Sequence, residues 1–153
     1  TFFAAQAAAK IMTEATHQVK NQVKSQVKSQ VKSQVKSQGG SIINFSSINA
    51  LLGPANMPGY VAAKAGIVGL SKALAADYGE ADIRVNAILP GWVVTERQLD
   101  TWLTPEAEAD WMEQVSLKQR LLPEEVANLA LFLAADDSRM ITGQSFTIDG
   151  GRT

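Results

Sequence analysis

Cysteine is absent from the 153 residues and histidine occurs once, at His17. Those absences exclude a disulfide framework, a thiolate metal site and a thiol nucleophile, and one histidine cannot build a histidine-rich metal cluster. Long apolar runs are absent too. The weakly polar stretch over 2–12 is well short of the ~20 residues a bilayer span needs and has no basic segment ahead of it of the kind a secretory signal carries. The expected location is therefore cytoplasmic. Net charge is also nearly missing, with 14 Lys and Arg against 15 Asp and Glu. No overall field draws the chain to nucleic acid or to an anionic membrane.

What is present is ordinary globular composition, 46% hydrophobic and 19% charged, in a length that suits one domain. The charge is unevenly spread: residues 1–76 hold eight lysines and one acid, Glu14, whereas 77–153 hold six basic and fourteen acidic groups. The chain opens at Thr1 in the middle of a helix-like pattern, with no capping residue before it. The expectation is a piece of something longer.

Three segments follow from texture. Residues 1–17 are alanine-rich and read as a helix with Phe3, Ala7 and Ile11 on one face. Residues 18–38 are a tandem repeat, Gln18-Val19-Lys20-Asn21 followed by four identical Gln-Val-Lys-Ser units. A four-residue period advances ~400° on a helix, so its valine stripe drifts ~40° per unit and never settles on one face. The repeat reads as a solvated extension or linker. Its five lysines would satisfy nucleic-acid phosphates, but no arginine or aromatic residue accompanies them to stack on a base or read its edge.

Residues 39–153 have a different texture. Ser41 to Ser46 is a short β-branched run, Asn49 to Gly59 reads as loop, and Tyr60 to Tyr78 reads as a helix stopped by Gly79. Ile83 to Leu89 is a second buried strand, ended by Pro90-Gly91. Helices start at Thr104-Pro105 and at Pro123, and Ser145 to Asp149 closes as a strand. Strand, helix, strand, helices, strand is the order of a parallel α/β sheet with helices on both faces.

Tyr60 and Lys64, four apart near a helix start, share one face about a turn apart. An ammonium beside a phenol favours the phenolate, which suits a tyrosine acid/base. Ser47 follows a parallel strand at its carboxyl end, where open α/β sheets place ligands. Its hydroxyl can bond a substrate oxygen, and together the three suit redox at a C–O bond. For Asn86, inside a strand, the expected role is structural, tying neighbouring backbone together.

Ser47 thirteen residues before Tyr60, Gly59 before the tyrosine, Ala62-Ala63-Lys64-Ala65-Gly66 after it, and then Arg84-Val85-Asn86-Ala87-Ile88-Leu89-Pro90-Gly91 resemble the short-chain dehydrogenase/reductase family. The resemblance covers Gly39 to Gly151, as the carboxyl-terminal half of such an enzyme, with Thr1 to Met12 as the preceding helix. It implies a partial Rossmann fold lacking the first βαβαβ half. It also implies NAD- or NADP-dependent hydride transfer at a C–OH or C=O group of a small alcohol or carbonyl substrate. Tyr60 would be the acid/base, Lys64 would hold the nicotinamide ribose and assist Tyr60, and Ser47 would polarise the substrate oxygen. Pro90, Gly91, Val93 and Thr95 match the family's nicotinamide-facing loop. Gly143 and Asp149-Gly150-Gly151 match its closing pattern.

The departures are as informative. Nothing matches the family's glycine-rich phosphate turn, the residue that chooses NAD or NADP, or its Asn-Asn-Ala-Gly segment. The repeat sits where the family has a short connection. The expectation is a truncated, inactive chain with a repeat insertion. Thr95-Glu96-Arg97-Gln98, Trp102-Leu103-Thr104-Pro105-Glu106 and Leu117-Lys118-Gln119-Arg120 resemble the substrate region of aldose 1-dehydrogenases, xylose dehydrogenase among them. Trp92 and Trp102 are candidates to stack on a sugar ring, and Trp111 to anchor a loop helix. The competing expectation is a non-catalytic subunit. Family members assemble through helices equivalent to Thr1 to Thr16 and Tyr60 to Tyr78, so the chain would form a homo-oligomer or capture an intact homologue.

Overall fold

The computed structural model describes Ala7, Lys10, Ile11, Met12, Glu14 and residues 39–153. The repeat over 18–38 and most of the helix expected over 1–17 lie outside the described residues. Three strands, β1 (Gly40–Phe45), β2 (Ile83–Pro90) and β3 (Ser145–Ile148), form one sheet in the order β1-β2-β3. Both pairings are parallel, with Ile42 opposite Val85 and Ile88 opposite Phe146. The helices are α1 (Asn49–Leu52), α2 (Pro58–Tyr78), α3 (Glu96–Thr101), α4 (Pro105–Gln114) and α5 (Pro123–Ala134).

Strand alternation sorts β2 into two faces, because successive side chains point to opposite sides of a sheet. Ile83 and Val85 pack with Ile42, Leu74 and Ala75, with Leu70 and Tyr78 of α2 around them. Ala87 and Leu89 continue that face with Ile48, Val68 and Trp111. On the opposite face Arg84 donates to the Ala135 carbonyl just past α5 at 3.2 Å, and Ser41 Oγ donates to the Leu133 carbonyl at 2.8 Å. Helices thus cover both faces, and β2 is buried nearly throughout. Fully burying one such side chain, Leu133 for example, contributes about 1.5–3 kcal/mol.

Polar groups inside this core are paired. Asn44 Nδ2 donates to Ser71 Oγ at 2.9 Å, and Ser71 donates in turn to the Ile67 carbonyl at 2.8 Å. Asn86, with no exposed surface, donates to the Ile141 carbonyl at 2.9 Å and accepts from Gln144 N–H at 3.0 Å. It ties β2 to the segment entering β3, the structural role expected from its place in the strand.

Several local expectations change. The segment read as loop contains α1, and α2 begins at Pro58, with proline at a first-turn position where its missing N–H costs nothing. That helix ends at Tyr78 as expected, but its cap, Gly79, is not left-handed. Its φ is −58°, the chain continues as a 3₁₀ turn, and Asp82 takes the left-handed position at φ 59°, which a short polar side chain tolerates. Helix α3 was not expected at all. In the amino-terminal helix, Ile11 is 68% exposed and Met12 packs on the core instead.

At the close of the sheet Asp149 accepts from Gly151 N–H, Thr153 N–H and Thr153 Oγ1, each at 2.9 Å. Burial pushes its carboxyl up, but these bonds and one from the Arg152 backbone outweigh it and hold the group below its ordinary 3.8. A carboxyl depressed on folding stabilises the fold above its unfolded pKa, and that contribution is lost as pH falls through the folded value. Asp149→Asn is therefore expected to cost about 2 kcal/mol in urea unfolding at pH 7. The gap from wild type should narrow below about pH 3.8; a gap that does not change with pH would contradict the assignment.

Candidate active site

The carboxyl ends of the strands are knitted together. Ile48 N–H donates to the Pro90 carbonyl at 3.1 Å, and Gly91 N–H donates to the Ile148 carbonyl at 2.8 Å. Gly91 must be glycine here, because a Cβ would lie 2.9 Å from Asp149 Cα. Ser47 sits on this rim, immediately after β1 and the buried Ser46.

Lys64 is gripped by the strand end from two directions. Ser46 Oγ donates to the Lys64 carbonyl at 2.7 Å, and Lys64 Nζ donates to the Phe45 carbonyl at 3.1 Å. These bonds register the first turns of α2 against the end of β1. The Lys64 ammonium also lies over the Tyr60 ring, 5.7 Å from its centroid, within cation–π range. Tyr60 is 46% exposed, and its hydroxyl has no partner among the described residues. Ser47 Oγ accepts from Asn49 N–H at 3.2 Å. With the oxygen used as acceptor, the hydroxyl proton is left to donate outward.

The structure brings Lys64 and Tyr60 to the end of β1, just before Ser47; sequence reading assigns no role to Ser46. The signal for it was strand alternation, since a residue two beyond Asn44 faces α2.

The other anticipated residues lie beyond β2. Val93 bridges in parallel to Leu121, and Val94 N–H donates to the Leu121 carbonyl at 2.8 Å. Thr95 is the N-cap of α3, its hydroxyl accepting from Gln98 N–H at 3.3 Å. Trp92 is held rather than free: Nε1 donates to Gln98 Oε1 at 2.8 Å, and its ring meets Trp111 edge to face at 5.6 Å. Trp111 packs on the Ile48 cluster, as expected of an anchor. Trp102 is 64% exposed.

A cleft of about 730 Å³ opens between α3 and the start of α5, lined by Thr95, Glu96, Arg97, Arg120 and Glu124 among others. Ser47, Tyr60 and Lys64 do not line it. At its edge Arg120 grips both carboxylate oxygens of Glu108, through Nε and, at 2.7 Å, through Nη2. That hydrogen bonding to Arg120 holds the Glu108 carboxyl below its ordinary value.

A family model described as enoyl-(acyl carrier protein) reductase matches residues 4–153. The chain belongs to the short-chain dehydrogenase/reductase family. Among curated relatives of this family, a probable galactose dehydrogenase of Rhizobium meliloti is 52% identical over 113 residues, covering 74% of this chain and 44% of the relative. A D-xylose 1-dehydrogenase of Caulobacter vibrioides is 49% identical over 113 residues, covering 74% of this chain and 45% of the relative. The chain spans less than half the length of these relatives.

Solved short-chain dehydrogenase/reductase structures agree. One from Mycobacterium ulcerans superposes with a TM-score of 0.71 at 32% identity, covering 74% of this chain and 42% of the other. A 4-hydroxyisoleucine dehydrogenase complexed with NADH superposes with a TM-score of 0.66 at 34% identity, covering 74% of this chain and 46% of the other. The fold is accordingly a partial Rossmann sheet. Within the described residues no helix is long and apolar enough to cross a membrane.

Proposed function

We propose that residues 39–153 supply the acid/base and substrate side of an NAD(P)-dependent oxidoreductase acting on a C–OH or C=O group, the 1-hydroxyl of a sugar. The observation that carries this is the Lys64 ammonium, fixed on the Phe45 carbonyl and seated over the Tyr60 ring, at the strand end that Ser47 follows. In the oxidising direction Ser47 donates its free proton to the substrate oxygen and orients it. Tyr60 takes the hydroxyl proton as the C–H bond breaks and the carbonyl forms, and Lys64 holds positive charge beside the phenol throughout.

The donor set fits the nicotinamide end of the cofactor: an ammonium and a phenol one helical turn apart, and Thr95 with its hydroxyl proton unspent. Lys64, Tyr60, Pro90, Gly91, Val93 and Thr95 would hold it, and when bound it accepts or supplies the hydride. The choice between NAD and NADP stays open, because no residue of the chain matches the family's selecting position. For the same reason, the 153 residues alone are inactive on this proposal. On this proposal the 18–38 repeat is an insertion that contributes none of these residues.

The sugar follows from relatives named for galactose and D-xylose oxidation, as against relatives named as 3-oxoacyl-[acyl-carrier-protein] reductases and as a cyclohexanol dehydrogenase. The test is a fusion of residues 39–153 behind the amino-terminal half of the galactose dehydrogenase relative. It is assayed with aldoses, a 3-oxoacyl thioester and cyclohexanol, each with both cofactors. Aldose oxidation should exceed the others by tenfold or more in kcat/KM. Preference for the thioester or for cyclohexanol would overturn the substrate class.

A further inference from the structure

Helix α3 has little of its own to hold it in place. It buries no residue, and of its six side chains only Gln98 is even half-buried. A helix this short does not persist on its own propensity, so its position rests on its anchors. The strongest is the bond from Trp92 Nε1 to Gln98 Oε1. Trp92 is oriented in turn by the edge-to-face contact with Trp111, at an interplanar angle of 90°.

Trp111 is clamped from its other side. The Arg152 guanidinium lies 5.9 Å from its ring centroid, and Arg152 Nη2 donates to Gln114 Oε1 at 2.6 Å, one turn along α4. Arg152 Nε is buried and finds no acceptor among the described residues. On that side the indole shields the guanidinium from water, a setting that strengthens a cation–π contact. Arg152 reaches this position because Asp149 closes the turn around it, accepting from residues 151 and 153 on either side.

We propose that Arg152 is a positioning residue: through Trp111 and Trp92 it sets Gln98, α3 and Thr95 at the edge of the site. Its effect on substrate rests on the dehydrogenase reading above; the mechanical link to α3 does not. Residues 149–153 and 92–98 are far apart in sequence, and the edge-to-face indoles couple them. Losing the guanidinium leaves Trp111 held by the Ile48 cluster without its clamp, loosens its contact with Trp92, and α3 opens more often.

The test uses the whole chain and limited trypsin digestion read by mass spectrometry. In Arg152→Gln, cleavage after Arg97, which is exposed on α3, should speed up about fivefold, the scale of losing one partly buried cation–π contact. Cleavage after the exposed Arg139 should keep its wild-type rate. Gln98→Leu should reproduce the effect, and Arg152→Lys should restore part of the protection. Wild-type cleavage after Arg97 in Arg152→Gln would overturn the proposal, as would equal acceleration at Arg97 and Arg139. In the fusion, Arg152→Gln should raise KM for the aldose about tenfold with kcat within twofold. A fusion that oxidises nothing would sink the dehydrogenase reading, while the Arg97 result still decides the positioning role.

Discussion

Tyr60→Phe in the fused enzyme lowers kcat by 10²–10⁴-fold and leaves NADH affinity within about twofold. The size follows from the work assigned to one hydroxyl. Phenylalanine keeps the ring, and with it the contact to the Lys64 ammonium, so only the proton acceptor is lost. General acid/base catalysis by a positioned side chain contributes 10²–10⁴-fold. Stability should hardly move, because the Tyr60 hydroxyl is bonded to no described residue and the side chain is 46% exposed. Surface changes of this kind stay within about 0.5 kcal/mol. Steady-state kinetics beside a thermal melt separates the cases. A variant with near-normal kcat would remove the acid/base role from Tyr60, and one that loses kcat only by unfolding would make its role structural.

Asn86→Ala lowers the melting temperature by about 10 °C. Its amide makes two bonds to backbone, at 2.9 and 3.0 Å, in a place with no exposed surface. Truncation strands an N–H at Gln144 and leaves the Ile141 carbonyl with the long 3.5 Å bond from Arg84 Nη1, and an unpaired buried group costs about 1–3 kcal/mol. A total near 3 kcal/mol, at about 2–4 °C per kcal/mol for a domain this size, gives the shift. The loss is expected because β3 docks on β2 through only four residue pairs, and the asparagine fixes the segment that delivers it. A shift under 3 °C would mean that Gly143 N–H on the Val85 carbonyl and the Thr142 hydroxyl on Val85 N–H suffice without it.

The sheet was legible because β1 and β2 are short runs rich in Ile and Val, the first opened by Gly39-Gly40 and the second closed by Pro90-Gly91, a texture that suits buried parallel strands. The start of α4 was legible from Thr104-Pro105, and Thr104 does cap Ala107 N–H at 3.2 Å. The Tyr60 and Lys64 pair was legible because helical spacing alone places them on one face. What escaped was set by tertiary contacts. Four residues of α1 carry no period to read. At the end of α2, the glycine was the obvious stop, but the 3₁₀ extension lets Asp82 turn the chain directly into β2. Helix α3 did leave a signal, since Thr95-Glu96-Arg97-Gln98 has the Thr-x-x-Gln spacing of a capping box. In the fold its glutamine side chain turns instead to Trp92, a partner no local pattern names. Arg152 was invisible for the same reason, its role lying in the indole of a helix some forty residues upstream.

On the proposed reading the labour is divided: these residues hold the proton chemistry, and the grip on the dinucleotide requires the half of the family fold that the 153 residues do not match. Fluorescence titration with NADH and NADPH, on this chain and on the fusion side by side, tests it most directly. Saturable binding by the fusion at micromolar concentration and none by the chain alone is the expected result. Micromolar, saturable binding by the chain alone would contradict it.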